Sequence, residues 1–496
     1  MLLPRARQTA QSLPRLHDDV LRLVFEQLVV DLDTTTALTE PVWIHLVLSS
    51  VCQSWRHVAI RYSDLWRYHH VDCARIRSTS ALADYAEVFA AFLRRSRGDF
   101  RALRIVNFPG PTGAMPQAPR FWTCVITQGL STCESFLLRT VEGGPRYMPI
   151  ITQIVQVLGM CAAPRLTTAA VSVGHCDATQ VRIDVDSIFN TPATTNLRTL
   201  VLNGVNLRDP SRVCGNCHLA TLHFGGGSFF IQVAPLLVDH HATLRALALF
   251  DVDMPVQLMQ LASLPALTTL ALRGRSIHLL PRLPTTSLPQ LSSIRLDFHA
   301  TPPAVTCLSI FLNQHPEIRI TELTLRNIAD LPGEFAFFVP SIGMLRDLRH
   351  LTIEGNIESA FFATLTGPDG VNESMLHNLS VLDIACHHTM SDAIPSLIDF
   401  LERKAALSGS PTLNALHIRS SSGLLSHHPL NYATALALNR TVQHFTICNR
   451  DAVAVLDDVA YWVPVQVMVS VLGKLFIWAP AYTILLCWAI SQVVSG

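Results

Sequence analysis

The segment with the clearest metal or redox spacing is Cys214-Gly215-Asn216-Cys217-His218. Two cysteines separated by two residues are typical of a redox pair, of a haem-attachment phrase and of the first two ligands of a zinc site. A zinc site also needs a second pair of ligands, and the sequence has no second cysteine pair at a suitable distance. We therefore interpret this segment as a loop between repeated elements.

Other residue types that could do chemistry are poorly placed for it. Adjacent histidine pairs begin at His69, His240, His387 and His427, but neighbouring residues on a strand or helix face different ways. Gly225-Gly226-Gly227 lacks the ending of a phosphate loop, and the sequence contains no hydrolase elbow, zinc-protease helix or kinase phrase. The sequence therefore predicts no catalytic residue, no metal site and no cofactor, in a protein that is not an enzyme.

Composition narrows the classes of partner and compartment. The 37 Lys and Arg residues balance 37 Asp and Glu residues, so no basic field would attract nucleic acid. Charged residues make up 15% of the chain and apolar residues 49%, which favours extensive burial over disorder. The twelve cysteines form no compact framework and the first residues show no signal-peptide pattern. We expect reduced thiols in a cytoplasmic or nuclear protein.

Two helices are predicted near the N-terminus, and they would position the apolar side chains of this region. Apolar residues from Asp18 to Leu28 follow the spacing of one buried helical stripe, and Asp18 is placed to cap it. A polar stretch from Asp31 to Thr39 leads to a second apolar period from Ile44 to Ala59, with Trp55 as its largest anchor. Helices of this size do not bury a self-sufficient core, so apolar surface here should dock onto a partner.

Further along the chain, a phrase of the form L-x-x-L-x-L recurs. Ten copies begin at Leu197, Leu219, Leu244, Leu267, Leu291, Ile320, Leu348, Leu379, Leu413 and Val442. Their intervals, about 22 to 25 residues early and nearer 30 later, are within or just above the range of leucine-rich repeats. Each phrase predicts a short strand with alternate residues in the core. The residues that point outward then form a candidate binding face, which includes Thr199, Thr221, Thr269, Ser293 and Thr352.

The remaining segments complete the expected organisation. The apolar segments Phe229–Leu237 and Ile394–Leu401 have helical character and would lie between strands, and Phe100–Ile105 is a degenerate early repeat. Residues 459–494 contain one charged residue, Lys474, and residues 475–494 have about the length of a bilayer span. This terminus is either a membrane anchor or a packed segment.

The predicted fold class is α/β. A helical module at residues 13–70 is followed by linker helices and degenerate repeats at 71–190 and by a leucine-rich-repeat-like solenoid of parallel strands and helices at 191–450. The hydrophobic segment at 459–494 ends the chain.

The first helix, Leu16 to Leu28, and the stretch Leu46-Val47-Leu48-Ser49-Ser50-Val51-Cys52-Gln53-Ser54-Trp55-Arg56-His57-Val58-Ala59 together resemble the F-box. The resemblance is to F-box proteins of the type abundant in mushroom-forming fungi, in which a phrase like Asp64-Leu65-Trp66 often follows the motif. It does not extend beyond residue 70, and it departs from the family in having His17 where a proline is usual and in a polar insert between the helices.

This resemblance implies an adaptor role. In the family, the F-box packs against a Skp-type adaptor that joins a cullin and a RING subunit, and the downstream domain recruits a protein substrate. The positions that match the motif's apolar residues are Leu16, Val20, Leu21, Val24, Phe25, Leu28, Leu48, Val51 and Trp55. The sequence does not separate those that build the module's own core from those that contact the adaptor. The implied function is substrate recognition for a ubiquitin ligase. The alternative is a membrane-anchored repeat scaffold without ligase coupling.

Overall fold

The computed structural model describes residues 17–35, 48–49, 52–76, 78–108, 118–140, 148–173, 183–185, 188–189, 191–192, 194–207, 217–225, 230–252, 263–283, 288–298, 304–327, 345–355, 357, 361–362, 378–386, 393–408, 413–420 and 442–449. These residues fall into two compact units. The first unit holds the described residues up to His70 together with Ala83–Leu103, and the second holds Val71–Leu82 and the described residues from Arg104 onward.

Helix α1 (Asp18–Thr35) opens the first unit. The residue that caps it is His17, whose carbonyl accepts a hydrogen bond from the Leu21 amide at 3.1 Å and whose Nδ1 accepts one from the Asp19 amide at 3.4 Å. The prediction that Asp18 is the cap is therefore wrong by one residue. The predicted linker is also wrong over its first five residues, because α1 continues to Thr35: aspartate and threonine lower helix propensity only modestly and do not end a helix by themselves.

Helix α2 (Gln53–Arg61) carries the second apolar period. Cys52 caps it, because its Sγ accepts a hydrogen bond from the Trp55 amide at 3.5 Å. Trp55 is half-buried and meets the ring of Phe25 edge to face, with ring centroids 5.7 Å apart. This contact joins the two helices.

Among the described residues of the first unit, Trp66 is the largest buried side chain, whereas Trp55, the predicted anchor of the second helix, is half-buried. Trp66 lies in the short 3₁₀ helix Ser63–Trp66, and its Nε1 donates a hydrogen bond to the Ala59 carbonyl at 2.8 Å. The guanidinium of Arg95 lies 4.2 Å from the centre of its ring, a favourable cation–π distance. The phrase Asp64-Leu65-Trp66, which follows the two helices in the sequence, therefore supplies a large part of the core of this unit through Trp66.

Strands make up most of the remaining structure. They are β1 (Tyr68–Asp72), β2 (Ala102–Phe108), β3 (Ser135–Thr140), β4 (Thr168–Ser172), β5 (Ile183–Val185), β6 (Thr199–Asn203), β7 (Val205–Leu207), β8 (Thr221–Gly225), β9 (Ala246–Phe250), β10 (Thr269–Arg273), β11 (Ser293–Asp297), β12 (Glu322–Arg326), β13 (His350–Gly355), β14 (Val381–Cys386), β15 (Leu413–Ser420) and β16 (Val442–Asn449).

The other described helices lie between these strands. They are α3 (Thr79–Arg95), α4 (Ala118–Leu130), α5 (Met148–Met160), α6 (Phe230–Asp239), α7 (Ala304–Gln314) and α8 (Ile394–Ser408), with a 3₁₀ helix at Gly274–Arg282. Helices α6 and α8 confirm the helical character predicted for these two segments.

One large sheet follows the order of the chain, β1-β2-β3-β4-β6-β8 and then β9 to β16 in sequence, while β5 pairs with β7. Every pairing from β3 to β16 is parallel. The predicted α/β class, with short parallel strands, is confirmed.

Each of the ten phrases overlaps a strand, and the strands pair in one register. The second apolar residues of the phrases face one another in the order Leu200, Leu222, Leu247, Leu270, Ile294, Leu323, Leu351, Leu382, Leu416 and Phe445. The first nine of these side chains are at most 3% exposed. Because a slip of one residue would turn each apolar row away from the core, this burial fixes the register.

Side-chain hydrogen bonds between neighbouring repeats also help to align the start of several strands. The residue after the first apolar residue of a phrase is often Ser or Thr, and its hydroxyl donates to the corresponding carbonyl of the preceding repeat. Examples are Thr268 to Arg245 at 3.0 Å and Ser380 to Arg349 at 3.0 Å. Two backbone amides donate to the same carbonyl, so three donors share each acceptor. We call this arrangement the hydroxyl ladder.

The chain turns at a matching place after several strands. Two residues beyond the last apolar residue of the phrase, the backbone has a positive φ of 53° to 67° at Asn107, Gly204, Asp251, Gly274 and Asn327. Only glycine, asparagine and aspartate adopt this conformation at low cost. At Gly204 a Cβ atom would also lie 2.9 Å from the Val173 carbonyl oxygen, so a larger residue would be strained there.

Candidate functional site

The nine residues that the resemblance to the F-box implies divide by burial. Leu21, Phe25 and Leu48 are buried, so they belong to the module's own core. Val20 and Val24 are exposed on α1, and Trp55 is half-buried. Leu28 belongs to α1, but its side chain is not among the described ones. Leu16 and Val51 fall outside the described residues altogether. For the six of these residues whose side chains are described, the structure separates buried from exposed positions.

The exposed members form a stripe with one residue that the motif does not include. Leu23 is 64% exposed, and Val20, Leu23 and Val24 follow the i, i+3, i+4 spacing that places side chains on one helix face. We call these three residues the α1 stripe. The prediction that Val20 and Val24 lie on a buried stripe is therefore wrong. The signal for Leu23 was available in the sequence, since it is apolar yet falls outside the period predicted to be buried.

Charged side chains border the α1 stripe. Asp19, Arg22 and Glu26 are all exposed on the same helix. An apolar centre with a charged, solvent-exposed rim is the usual arrangement of a protein–protein interface. The stripe therefore has the chemistry of a docking surface.

The second candidate surface is the side of the sheet that carries the first, third and fifth residue of each strand, here called the outer face. Thr199, Thr221, Thr269 and Thr352 are half-exposed there, as predicted for outward positions. Ser293 is buried, because its short side chain lies in register between Thr269 and Glu322 of the neighbouring strands.

The central row of the outer face is buried from β6 to β10. The central outward residues Val201, His223, Ala248 and Ala271 are all buried. The ring of His223 packs edge to face against Phe250 with centroids 4.3 Å apart. Burial, together with the positive charge of Arg273, lowers the pKa of His223 to about 3. This histidine is neutral at physiological pH and acts as a core side chain.

Charged residues alternate on the outer face from β10 to β13. Arg273 lies 3.6 Å from Asp251 and 3.8 Å from Asp297, and Arg326 lies 3.1 Å from Glu354. Arg273, Asp297, Arg326 and Glu354 occupy the same position of successive strands. The positive and negative charges of this row therefore largely neutralise one another through ion pairs.

A polar cluster lies on β13, β14 and β15. Oδ2 of Asp383 accepts a hydrogen bond from Nε2 of His350 at 2.8 Å, and Oδ1 lies 4.0 Å from Nε2 of His417. The hydroxyl of Thr352 lies 3.3 Å from the same nitrogen of His350 and 3.5 Å from Oδ2. Because β13, β14 and β15 are far apart in the sequence, no local spacing indicates that their side chains meet; only the strand register brings them together.

The residues first considered for chemistry do not form a site in the described structure. Cys217 is buried, and Cys214 lies outside the described residues. In the His240 pair, His240 is buried and His241 is exposed, so the two side chains do not converge. Across the described ranges, no three His, Cys, Asp or Glu side chains are placed to hold a metal ion.

Two further observations concern cavities and the membrane. A cavity beside β9 and β10 is lined only by leucines, including Leu247 and Leu270, and so offers no ionisable group. Among the helices that the structure describes, none has the length and apolar character needed to cross a bilayer. Residues 459–494, which carry the anchor prediction, lie outside the described residues.

Comparisons with known proteins do not add a family. No protein-family model matches the chain, and no curated protein matches it. Function is therefore inferred from the two surfaces and from the resemblance of the first 70 residues.

Proposed function

We propose that this chain is a non-catalytic substrate-recognition subunit of a Skp, cullin and F-box type ubiquitin ligase. In this proposal the first unit is an F-box that docks on a Skp-type adaptor. The second unit is a leucine-rich-repeat array whose outer face binds a protein substrate.

The observation that carries the proposal is the exposed α1 stripe within a sequence that resembles the F-box. A single exposed leucine would be ordinary, but Leu23, 64% exposed, lies beside exposed Val20 and Val24, and adjacent exposed apolar side chains are typical of an interaction surface. Docking would remove that surface from water and gain about 25 cal/mol per Å². A stable interface buries about 800 Å² on each partner, so three side chains can supply only its apolar centre.

The repeat array is supported by the ten in-register phrases and by the strand order, in which each strand pairs with its neighbours along the chain. A row of short parallel strands offers an extended surface, which suits a protein partner better than a small molecule. The mechanism would be proximity. The array holds a substrate so that its lysines meet a ubiquitin-charged enzyme at high effective concentration.

The test is binding of the full chain to a purified Skp-type adaptor, with a matched pair of variants. Val24 lies in the α1 stripe and is 41% exposed, while Val88 on α3 is 45% exposed and lies outside the stripe. Both variants, Val24→Asp and Val88→Asp, place a charge on an exposed helix position of the same unit, so their effects on folding should be similar.

We expect Val24→Asp to weaken adaptor binding about 30-fold or more, as burial of a charge in an apolar interface centre would. Val88→Asp should bind like the wild type, and circular dichroism should show both variants folded. Wild-type protein that does not bind the adaptor, or an equal loss in both variants, would contradict the proposal.

A further inference from the structure

The basic residues of this chain are almost all arginine. Of the 37 lysine and arginine residues, 35 are arginine, and the two lysines are Lys404 and Lys474. Lysine is among the commonest residues of soluble domains, so its shortage here is a property of this sequence that needs a reason. The positive charge of the protein is supplied by guanidinium groups, although amines would give the same net charge.

Local structure requires a guanidinium at some positions and not at others. The guanidinium of Arg95 lies 4.2 Å from the centre of the Trp66 ring, a contact that a planar, delocalised cation makes best. The side chain of Arg319, by contrast, is 85% exposed, and its Nε lies 3.9 Å from Oδ2 of Asp347. A lysine amine would make this exposed contact equally well, and such pairs contribute little to stability. The fold therefore does not account for the choice of arginine at residue 319.

The surface that the structure describes carries guanidinium groups in both units but no exposed lysine amine. Arg94 on α3, Arg120 on α4 and Arg346 are exposed, as Arg319 is. Lys404 is the one lysine among the described residues, and it is buried on α8 with an exposed fraction of 4%. Lys474 lies outside the described residues.

Lysine and arginine differ in their reaction with the thioester of a ubiquitin-charged enzyme. A lysine amine that has lost its proton attacks the thioester carbonyl carbon. An isopeptide bond forms, the carbon–sulfur bond breaks, and the remaining proton that the nitrogen gives up leaves with the thiol. An arginine guanidinium stays protonated and its nitrogen lone pairs are delocalised, so it does not attack. Arginine in place of lysine thus keeps the charge and removes the ubiquitin acceptor.

We propose that the shortage of exposed lysine protects this chain from ubiquitination by the ligase that it joins. The inference rests on the proposed function and states how that function is regulated. A recognition subunit is held close to the ubiquitin-charged enzyme at high effective concentration, as its substrate is. Exposed lysines on the subunit would therefore compete with those of the substrate. A surface without them directs the transfer of ubiquitin to the bound substrate.

The test is a ubiquitination reaction with the full chain, a purified Skp-type adaptor, cullin and RING complex, the ubiquitin-charged enzyme and no substrate. The starting chain carries Lys474→Arg, which leaves buried Lys404 as its one lysine. A second variant, the four-lysine chain, adds amines at exposed positions of both units and keeps the net charge. Its additional changes are Arg94→Lys, Arg120→Lys, Arg319→Lys and Arg346→Lys.

Intact-mass spectrometry measures the ubiquitinated fraction of each chain, and peptide mapping locates the modified residues. We expect this fraction to be about tenfold larger or more in the four-lysine chain than in the starting chain, with ubiquitin on the introduced lysines and none on Lys404. The control adds Val24→Asp to the four-lysine chain, which should return the fraction to the starting value because the chain is no longer recruited. Equal fractions in the starting and four-lysine chains, or ubiquitin on Lys404, would overturn the inference.

Adaptor binding, measured on the same samples, separates this inference from the proposed function. If the four-lysine chain binds the adaptor but gains no ubiquitin, the proposed function stands and the inference is wrong. If the starting chain does not bind the adaptor, the proposed function is wrong and the inference falls with it.

Discussion

Helix α1 and the parallel sheet are built from the same apolar residue types but use them in different ways. On α1, Leu21 is buried while Leu23, two residues away, is largely exposed. In the sheet, the nine described residues at the second apolar position of the phrases are all buried by their neighbours in adjacent repeats. Leucine in the sheet therefore stabilises the fold, whereas the α1 stripe is left for a partner.

The largest effect is expected for a buried leucine of the sheet. Leu272 of β10 is buried, and Leu272→Ala should lower the free energy of unfolding by about 2 to 5 kcal/mol, because it removes buried methyl groups and leaves a cavity. Urea denaturation of the wild type and the variant measures the difference. A loss below about 1 kcal/mol would mean that the sheet tolerates cavities, and the comparison with α1 would fail.

The next effect tests whether burial in the sheet extends to its outer face. The folded-state pKa of His223 is about 3, against 6.5 for an exposed histidine, so the unfolded chain binds a proton that the folded chain does not. The contribution of His223 to the free energy of unfolding should be fully present above about pH 6.5. Below that value the free energy of unfolding should fall, by about 2 to 3 kcal/mol at pH 4.5. The control is His223→Leu, which has no titrating group at this position. Between about pH 6.5 and pH 4.5, the free energy of unfolding of this variant should fall by about 2 to 3 kcal/mol less than that of the wild type. Parallel pH curves would show that His223 is accessible to water.

A smaller effect is expected at the hydroxyl ladder. In Ser380→Ala, the Arg349 carbonyl loses one of its three donors and keeps the two backbone amides. We expect a loss of about 0.5 to 1 kcal/mol, the usual net value of one hydrogen bond. The restoring variant is Ser380→Thr, which keeps the hydroxyl and should have wild-type stability in the same urea titration.

The smallest effect on stability is expected on α1. Because Leu23 makes little buried contact, Leu23→Ala should change the free energy of unfolding by no more than about 0.5 kcal/mol. The same variant should weaken adaptor binding measurably. If it unfolds the protein as strongly as Leu272→Ala does, then Leu23 is a core residue and the contrast between the two regions disappears.

Much of the sheet could be predicted from the sequence, because each strand repeats the same apolar phrase. Each of the ten phrases overlaps a strand, and Leu200 aligns with Leu222 as the repeat requires. The earlier strands β3 and β4 were harder to identify, since Phe136 and Ala169 replace leucine at that position. A phrase that tolerates any buried apolar residue has too little sequence signal to be recognised alone.

The candidate sites were less predictable, for two different reasons. On α1, periodicity predicts that Val20 and Leu21 both face a buried side, yet a helix of 3.6 residues per turn points them about 100° apart. Only the packing of Phe25 against Trp55 decides which direction is the core. In the sheet, His350 and Asp383 meet because two strands pair in register across 33 residues of chain, and no local pattern encodes that distance.

The order of strands also has a consequence for how the protein folds. Apart from β5 and β7, each strand hydrogen-bonds to the strands that precede and follow it in the chain. Loop closure between such neighbours costs little entropy, so folding can start at any adjacent pair and spread in both directions. Unfolding should begin at the terminal strands and move inward, with amide exchange fastest in β16 and slowest in central strands such as β10. The second unit would then lose structure gradually from its ends, one repeat after another.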